Sequence, residues 1–266
     1  MHPILFKLGP ITIYTYGVML ALAFLAAIYV AGREAERLGL PKGKFYDLCF
    51  YIVVAALLGS RLLFVILEPR AFFSHPLDTL ALWKGGLDFQ GGLILVLIVA
   101  FFFIRRQRWP WRTTLDALAL GAPLGQCLGR IGCFMAGCCY GIPTHVPWAV
   151  VFTNPQSLCP LKGIPLHPTQ LYMSFLGLGI FGYLYWFRTR KRYSGQLTLM
   201  YLFLASLGRF VIEFYRSPLD YRGPVYFGWM PLTQLLALVI FLVCGGLLLY
   251  FKFRLQPQAQ AQELHQ

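Results

Sequence analysis

Three arginines stand inside long apolar blocks of the sequence, where a charged side chain is expensive to place. They are Arg61, Arg130 and Arg209, and Glu213 follows Arg209 by four residues, so these two can pair on one helix face. An arginine at mid-membrane depth costs about 2.5 to 3.5 kcal/mol even on the lenient insertion scale. A guanidinium binds phosphate oxygens in a bidentate fork. The pattern indicates a site for a phospholipid head group, and the alternative is that each arginine snorkels outward or satisfies a neighbouring helix.

Cysteines crowd into one short stretch around Arg130. Four of the seven cysteines lie between Cys127 and Cys139, and Cys159 follows in the next polar segment. A zinc site needs about four ligands at set spacing, and the adjacent pair Cys138-Cys139 with scattered histidines is a poor match, so we predict no metal site. A disulfide between Cys159 and either Cys138 or Cys139 stays an open alternative, because pairing cannot be read from sequence.

Further polar and small residues gather near the ends of the apolar blocks. Gly129 and Gly132 flank Arg130 and leave room beside it for a ligand, whereas Gly121 and Gly125 indicate close helix packing. Together with the arginines, the polar residues predict a pocket that opens to one leaflet, and they are Tyr16, Asp88, Gln90, His167, Gln170 and Tyr172.

The overall composition is typical of a polytopic membrane protein. Hydrophobic residues make up 58% of the 266 residues and charged residues only 12%, about half the share found in soluble domains. The formal charge of +13 would suit nucleic acid, but the basic residues sit between apolar blocks rather than on one face. We therefore predict an all-α membrane protein with no nucleic-acid partner.

About seven transmembrane helices are predicted, because a hydrocarbon core of about 30 Å needs about 20 apolar residues. Lys and Arg cluster after the first, third, fifth and seventh blocks, which places the N-terminus outside and the C-terminus in the cytoplasm. The first block is interpreted as an uncleaved span. We expect one transmembrane catalytic domain over 1–252 and a disordered cytoplasmic tail over 253–266. The spans are 13–31, 48–67, 87–104, 115–136, 169–187, 197–215 and 231–251.

The three arginines occupy equivalent positions in their spans. Each precedes the outer end of its predicted span by six residues, which at 1.5 Å per residue is about 9 Å. Arg61, Arg130 and Arg209 are therefore expected at one level, just beneath the outer head groups.

These residues resemble those of a known family, the bacterial prolipoprotein diacylglyceryl transferases. The matching pieces cover almost the whole chain in order. The most specific are the glycine and arginine block and the His-Pro-Thr-Gln-Leu-Tyr block. The pieces are Tyr16-Gly17, Gly91-Gly92, Gly129-Arg130-Ile131-Gly132, Gly141, residues 167–172 and residues 208–216.

The resemblance implies a transferase of the bacterial inner membrane whose active site faces the outer, periplasmic leaflet. Its substrates would be the membrane lipid phosphatidylglycerol and the lipobox cysteine in a prolipoprotein signal peptide. A thioether would form and glycerol phosphate would leave, with no cofactor. Arg130 and Arg209 would act on the phosphate. Substrate-binding residues would be Tyr16, Gln90, Gly91, Gly92, Gly129, Gly132, Gly141, Gln170, Tyr172, Glu213 and Arg216.

The chain departs from the best-known form of this family at the group that would take the thiol proton. Gln90 stands where that form has a histidine, and an amide cannot act as a base. His167 is the closest matching alternative, although it could instead cap the fifth helix. Cys133 and Cys138 replace an asparagine and a glutamate of the best-known form, and the resemblance assigns them no role.

Two other functions fit a membrane protein with charges inside its spans. A transporter would carry polar residues at several depths and often an internal repeat, and the sequence has no clear repeat. The other function is that of a related phospholipid-dependent transferase with a different acceptor. Only an assay with a lipobox peptide distinguishes it from a transferase that modifies prolipoproteins.

Overall fold

Helices dominate the computed structural model, which describes residues 1–9, 11–67, 89–219, 225–226, 228 and 230–263. In these residues there are seven helices, one at each predicted span, and the all-α prediction is confirmed. The helices are α1 (Thr15–Arg37), α2 (Lys42–Leu67), α3 (Phe89–Gln107), α4 (Trp111–Ala136), α5 (Thr169–Phe187), α6 (Gln196–Glu213) and α7 (Leu232–Glu263).

Most of these helices are long and apolar enough to cross a membrane. Among the described residues six helices meet that requirement, and α5 is the exception. Although α5 has 19 residues, it begins with the polar Thr169 and Gln170 and continues with Ser174, all three of them buried. The protein is thus a multi-pass membrane protein, with one helix that places polar groups in its interior.

The chain forms two compact units. Unit 2 is Gly32–Thr114, and unit 1 joins Met1–Ala31 to Leu115–Gln266. In unit 2, α2 and α3 touch through their backbones, since a Cβ on Gly91 would lie 2.3 Å from the carbonyl oxygen of Gly59. The prediction of a single domain over 1–252 stays a prediction.

In unit 1, glycines bring helices into close contact along α4. A Cβ on Gly121 would lie 2.3 Å from the carbonyl oxygen of Ala27 in α1, and a Cβ on Gly125 would lie 3.1 Å from the Cβ of Ala27. The expected packing role of Gly121 and Gly125 is confirmed. On α5, a Cβ on Gly177 would meet the carbonyl oxygen of Pro123 at 2.8 Å, so α5 packs on α4 in the same way.

Short antiparallel pairs join the helices of unit 1. The strands β1 (Ile4–Leu8) and β2 (Ile11–Tyr14) form a hairpin before α1. The strands β3 (Val150–Val151) and β4 (Pro165–Leu166) close the loop between α4 and α5. The strands β5 (Val225–Tyr226) and β6 (Met230–Pro231) precede α7.

The last helix runs further than its predicted span. The span ends at 251, whereas the backbone of α7 is helical to Glu263. Helical backbone therefore covers part of the segment 253–266 that was expected to be disordered, and a tail without structure in solution stays a prediction.

A buried carboxylate fixes the start of α6. Asp116 of α4 is fully buried and accepts bonds from Lys191 Nζ at 2.7 Å, from the backbone N–H of Gly195 at 2.8 Å and from both N–H and hydroxyl of Thr198. The backbone N–H groups of a helix start lack partners within the helix, and a carboxylate satisfies them well. Asp116 thus ties α4 to α6.

Replacing this carboxylate should destabilise unit 1. Asp116→Asn keeps the size of the side chain but leaves Lys191, which is only 13% exposed, without its counter-charge. We expect a loss of about 3 kcal/mol, measured as a lowered unfolding midpoint in detergent. Arg192→Gln, at an exposed cation nearby, is the matched control and should leave the midpoint unchanged. Equal midpoints for Asp116→Asn and wild type would contradict the prediction.

Candidate active site

A buried glutamate at the end of α6 forms ion pairs with two arginines. Glu213 is 1% exposed, and its Oε2 lies 3.1 Å from Arg209 Nε and 3.5 Å from Arg216 Nη1. Its Oε1 accepts a hydrogen bond from the hydroxyl of Thr233 on α7 at 3.2 Å. The carboxylate therefore holds both guanidinium groups in place, and the three side chains together keep one net positive charge.

Arg130 of α4 joins this charged group. It interacts electrostatically with Arg209, as does Arg216. Beside it, Gly129 has open space where a Cβ would lie, as the sequence predicted. The three guanidinium groups and the one carboxylate together carry two net positive charges, and such an excess favours a multiply charged anion.

Three thiols converge at the C-terminal end of α4. The Sγ atoms of Cys133, Cys138 and Cys139 all lie within 4.8 Å of one another. The backbone reverses direction between them, since Gly137 has φ +84° and Cys139 has φ +57°. Glycine adopts such angles readily, whereas a cysteine in this region is strained. This group is called the thiol cluster below.

The charged surroundings act on the thiol cluster. Hydrogen bonds with Cys133 and Cys138 lower the pKa of Cys139 below its ordinary value, and the nearby Arg130 and Arg216 lower it further. Hydrogen bonds with the other two thiols and burial raise the pKa of Cys138. All seven cysteines are free thiols in the structure, including Cys159, for which a disulfide was an open alternative.

The start of α5 holds the backbone of the thiol cluster in place. The hydroxyl of Thr169 donates to the carbonyl of Cys139, and Gln170 Nε2 donates to the carbonyl of Cys138, both at 2.7 Å. Gln170 is fully buried, and its Oε1 has no hydrogen-bond partner among the described residues. An unpartnered buried acceptor of this kind suits a ligand hydroxyl.

Gly141 is the point where three chain segments touch. Its N–H donates to the carbonyl of His167 at 3.0 Å, and the next N–H, of Ile142, donates to the carbonyl of Tyr215. A Cβ on Gly141 would lie 2.6 Å from the His167 carbonyl oxygen and 2.7 Å from that of Tyr215. Gly141 therefore has a clear packing role, and its predicted contact with substrate stays a prediction.

His167 is held in an aromatic group rather than at a helix cap. Its Nδ1 lies 3.0 Å from the hydroxyl of Tyr172, which also accepts a hydrogen bond from Trp148 Nε1 at 2.7 Å. Its ring meets Tyr215 edge to face, with centroids 5.2 Å apart. The N-cap of α5 is Pro168, and no side chain caps it, so the alternative in which His167 caps the fifth helix is wrong.

Tyr16 lies on α1 near Arg130 and the thiol cluster. It interacts electrostatically with Arg130 and with the three cysteines, and it is 40% exposed. Gly132 contacts this helix, since its Cβ would lie 3.0 Å from the Cβ of Met19. The expected room beside Arg130 is thus present at Gly129, whereas Gly132 packs against α1.

The remaining predicted site residues belong to unit 2. Gln90 is the second residue of α3, and the glycines that follow it pack on α2, where a Cβ on Gly92 would lie 2.7 Å from Ser60 Oγ. Arg61 places its guanidinium 5.4 Å from the ring centroid of Phe64 in the same helix. Asp88 lies outside the described residues. A substrate contact for Gln90, Gly91 and Gly92 stays a prediction.

Sequence reasoning missed the thiol cluster, Thr169 and Thr233. The signal for the first was a cysteine at the end of a helix, followed by a glycine that ends it and then two more cysteines. That spacing matches no standard zinc pattern, so the convergence of the three sulfurs appears only in three dimensions. Thr233 comes from α7, 20 residues from its partner Glu213.

Comparison with known proteins shows the family of this chain. The model of the prolipoprotein diacylglyceryl transferase family matches residues 3–250. The chain is 39% identical over 254 residues to the phosphatidylglycerol–prolipoprotein diacylglyceryl transferase of Bordetella avium, covering 93% of each protein. The same-named proteins of Bordetella parapertussis and Clostridium tetani are 36% and 33% identical, over 94% and 85% of this chain and 95% and 88% of their own lengths. The chain therefore belongs to the prolipoprotein diacylglyceryl transferase family.

Proposed function

We propose that this enzyme transfers the diacylglyceryl group of phosphatidylglycerol to the lipobox cysteine of prolipoproteins. The cysteine sulfur attacks the glyceryl carbon that bears the phosphate, a C–S bond forms, and the C–O bond to the phosphate breaks. The electron pair of that bond leaves on the phosphate oxygen, and the products are a thioether and glycerol phosphate. The reaction belongs to lipoprotein biogenesis.

The observation that carries this proposal is the charged group formed by Arg130, Arg209, Arg216 and Glu213, in which Glu213 contacts Arg209 and Arg216 and Arg130 interacts with Arg209. A phosphodiester has one negative charge, whereas the departing phosphate monoester approaches two, because its second pKa is near 6. Negative charge therefore grows on the leaving group during the reaction. Fixed cations with two net positive charges stabilise that growth more than they stabilise the bound lipid, and only such a difference lowers the barrier.

Individual roles follow from the contacts. Arg130 and Arg209 bind the phosphate oxygens, and Glu213 positions Arg209 through the 3.1 Å ion pair. The unpartnered Oε1 of Gln170 accepts a hydrogen bond from a hydroxyl of the glycerol in the lipid head group. Arg216 forms an ion pair with the same glutamate and adds positive charge to the site.

The acceptor thiol must lose its proton before it attacks. A free cysteine has a pKa near 8.5, so little thiolate is present at neutral pH. We propose that Nε2 of His167 accepts this proton, since the hydrogen bond between Nδ1 and the Tyr172 hydroxyl holds the ring in place. When Nδ1 donates to that hydroxyl, Nε2 carries the lone pair that a base needs.

The membrane orientation is part of the same proposal. Lys and Arg cluster after the apolar segments of α1, α3, α5 and α7, and short cytoplasmic loops hold the excess of basic residues. The N-terminus then lies outside a bacterial inner membrane and the site opens to the outer leaflet. There both a lipid and the signal peptide of an exported precursor reach it.

A direct assay tests this function. Purified enzyme in detergent is mixed with phosphatidylglycerol and a lipobox peptide, and the peptide mass is followed. We expect the peptide to gain the mass of one diacylglyceryl group, and glycerol phosphate to appear in equal amount. The peptide with serine in place of cysteine should gain nothing. If the cysteine peptide gains no such mass from pH 7 to pH 9, the proposal is wrong.

His167→Gln should slow transfer by about 100-fold, the low end of what a general base contributes. The substitution also removes the acid limb of the pH profile of kcat/KM, because glutamine does not ionise. Tyr172→Phe keeps the imidazole but removes the hydroxyl that orients it, so a smaller loss with the limb retained is expected. A His167→Gln enzyme with the wild-type rate and pH profile would show that another group takes the proton.

A further inference from the structure

We propose that the thiol cluster binds a zinc ion, which takes the lipobox sulfur as its fourth ligand. This inference rests on the proposed function for the identity of that fourth ligand. It revises the sequence prediction of no metal site, which considered the spacing of the cysteines and not their arrangement in space.

The separation of the three sulfurs suits a thiolate-bound ion. Tetrahedral zinc has Zn–S distances of about 2.3 Å, which places its sulfur ligands about 3.8 Å apart. The Sγ atoms of Cys133, Cys138 and Cys139 are no more than 4.8 Å apart. Adjustment by about 1 Å, within reach of small changes in χ1, brings them to the required geometry. Three soft ligands of this kind select thiophilic ions rather than Mg²⁺ or Ca²⁺.

The backbone holds two of the ligands in place before any ion binds. Thr169 and Gln170 donate hydrogen bonds to the carbonyl groups of Cys139 and Cys138 respectively, each at 2.7 Å. Cys139 adopts a strained backbone conformation with φ +57°, and strain of this kind is concentrated at functional sites. Folding therefore already restricts the conformations of these ligands. Less conformational entropy is lost when the ion binds, which favours binding.

Two neighbouring arginines offset the negative charge of the proposed site. Three thiolates and Zn²⁺ carry one net negative charge, and a fourth thiolate makes it two. Arg130 and Arg216 both interact electrostatically with Cys139 and offset this charge. A site with three protein ligands leaves one position open, which is the arrangement of catalytic rather than structural zinc.

Coordination would prepare the acceptor for the reaction proposed above. A thiol that binds zinc loses its proton outright, and here His167 receives it. The bound sulfur keeps a lone pair, attacks the glyceryl carbon and displaces the phosphate oxygen with its electron pair. The product is a neutral thioether, which is a weaker ligand than a thiolate, so the modified peptide leaves the ion and the site is restored.

Metal content and Co²⁺ spectra test the site without using activity. Enzyme purified with Zn²⁺ in the growth medium should carry one equivalent per chain by elemental analysis. Replacement by Co²⁺ should give the intense thiolate charge-transfer absorption of a three-sulfur site. Addition of the lipobox peptide should strengthen that absorption as a fourth sulfur binds, and the serine peptide should leave it unchanged.

Matched serine variants locate the ion. Cys138→Ser and Cys139→Ser should each weaken Zn²⁺ binding by more than about 100-fold, since even loss of a supporting hydrogen bond costs up to that much. Cys244→Ser changes a buried cysteine of α7 outside the cluster and should keep the full equivalent. Cys138→His, which retains a zinc ligand, should recover binding in part and guards against a variant that merely misfolds.

The outcomes separate this inference from the proposed function. Wild-type enzyme that is metal-free, has all its thiols reduced and transfers diacylglyceryl at full rate would overturn the zinc site and leave the function standing. A disulfide within the cluster in active enzyme would overturn it too. Enzyme that binds one zinc through the cluster but never modifies the peptide would keep the site and refute the function.

Discussion

Arg130→Lys should lower kcat/KM for diacylglyceryl transfer by about 100-fold, although the charge at position 130 is unchanged. Lysine carries a single ammonium group and cannot make the bidentate fork that guanidinium offers to a phosphate. Loss of one well-placed donor to a developing anion costs about 100- to 1,000-fold in other enzymes, and 100-fold corresponds to about 2.7 kcal/mol. The loss should fall mainly on kcat, because the charge on the phosphate grows in the transition state.

Initial rates over a range of phosphatidylglycerol concentrations measure this effect. Arg254→Lys makes the same chemical change near the end of α7 and serves as the control, with rates close to wild type. A variant at position 130 that keeps both kcat and KM would show that Arg130 only packs between helices, and the phosphate role would have to be withdrawn.

Glu213→Gln should harm both folding and turnover. The substitution leaves Arg209 and Arg216 side by side without the carboxylate that both of them contact. Removing one partner of a buried ion pair costs about 3 to 5 kcal/mol. We expect an unfolding midpoint lowered by on the order of 10 °C in detergent and a kcat reduced by about 100-fold, because Arg209 is no longer held in position.

A shorter acid separates the two effects. Glu213→Asp keeps the negative charge but withdraws it by one methylene, so most of the stability should remain while the rate stays low. Thr233→Val removes only the hydrogen bond to Oε1 and should have a small effect on both quantities. If Glu213→Gln matches wild type in midpoint and in rate, the ion pair neither supports the fold nor positions Arg209.

Much of the architecture could be predicted because membrane helices follow from simple rules. Apolar blocks of about 20 residues must become helices in lipid, where each backbone polar group needs a partner within its own segment. The predicted end of the fourth span, at 136, matches the end of α4 at Ala136. The pairing of Arg209 with Glu213 also followed from their separation of four residues.

Other features depend on contacts between distant segments. Position along a span suggested that three arginines share one level, and in unit 1 Arg130 and Arg209 do interact. Arg61 belongs to unit 2, so its place at that level stays a prediction. The interpretation of His167 as a cap was equally reasonable from sequence, but the ring bonds Tyr172 instead.

The class of protein, the helices and the buried charges could be predicted from local sequence, because apolar length and the cost of a charge in lipid are properties of each segment alone. Which side chains come into contact depends on the folded chain. The thiol cluster depends on two left-handed backbone angles after α4, and Glu213 depends on Thr233 from another helix. The first arises from a local chain reversal that the residue spacing did not reveal, and the second from helix packing, which no single segment encodes.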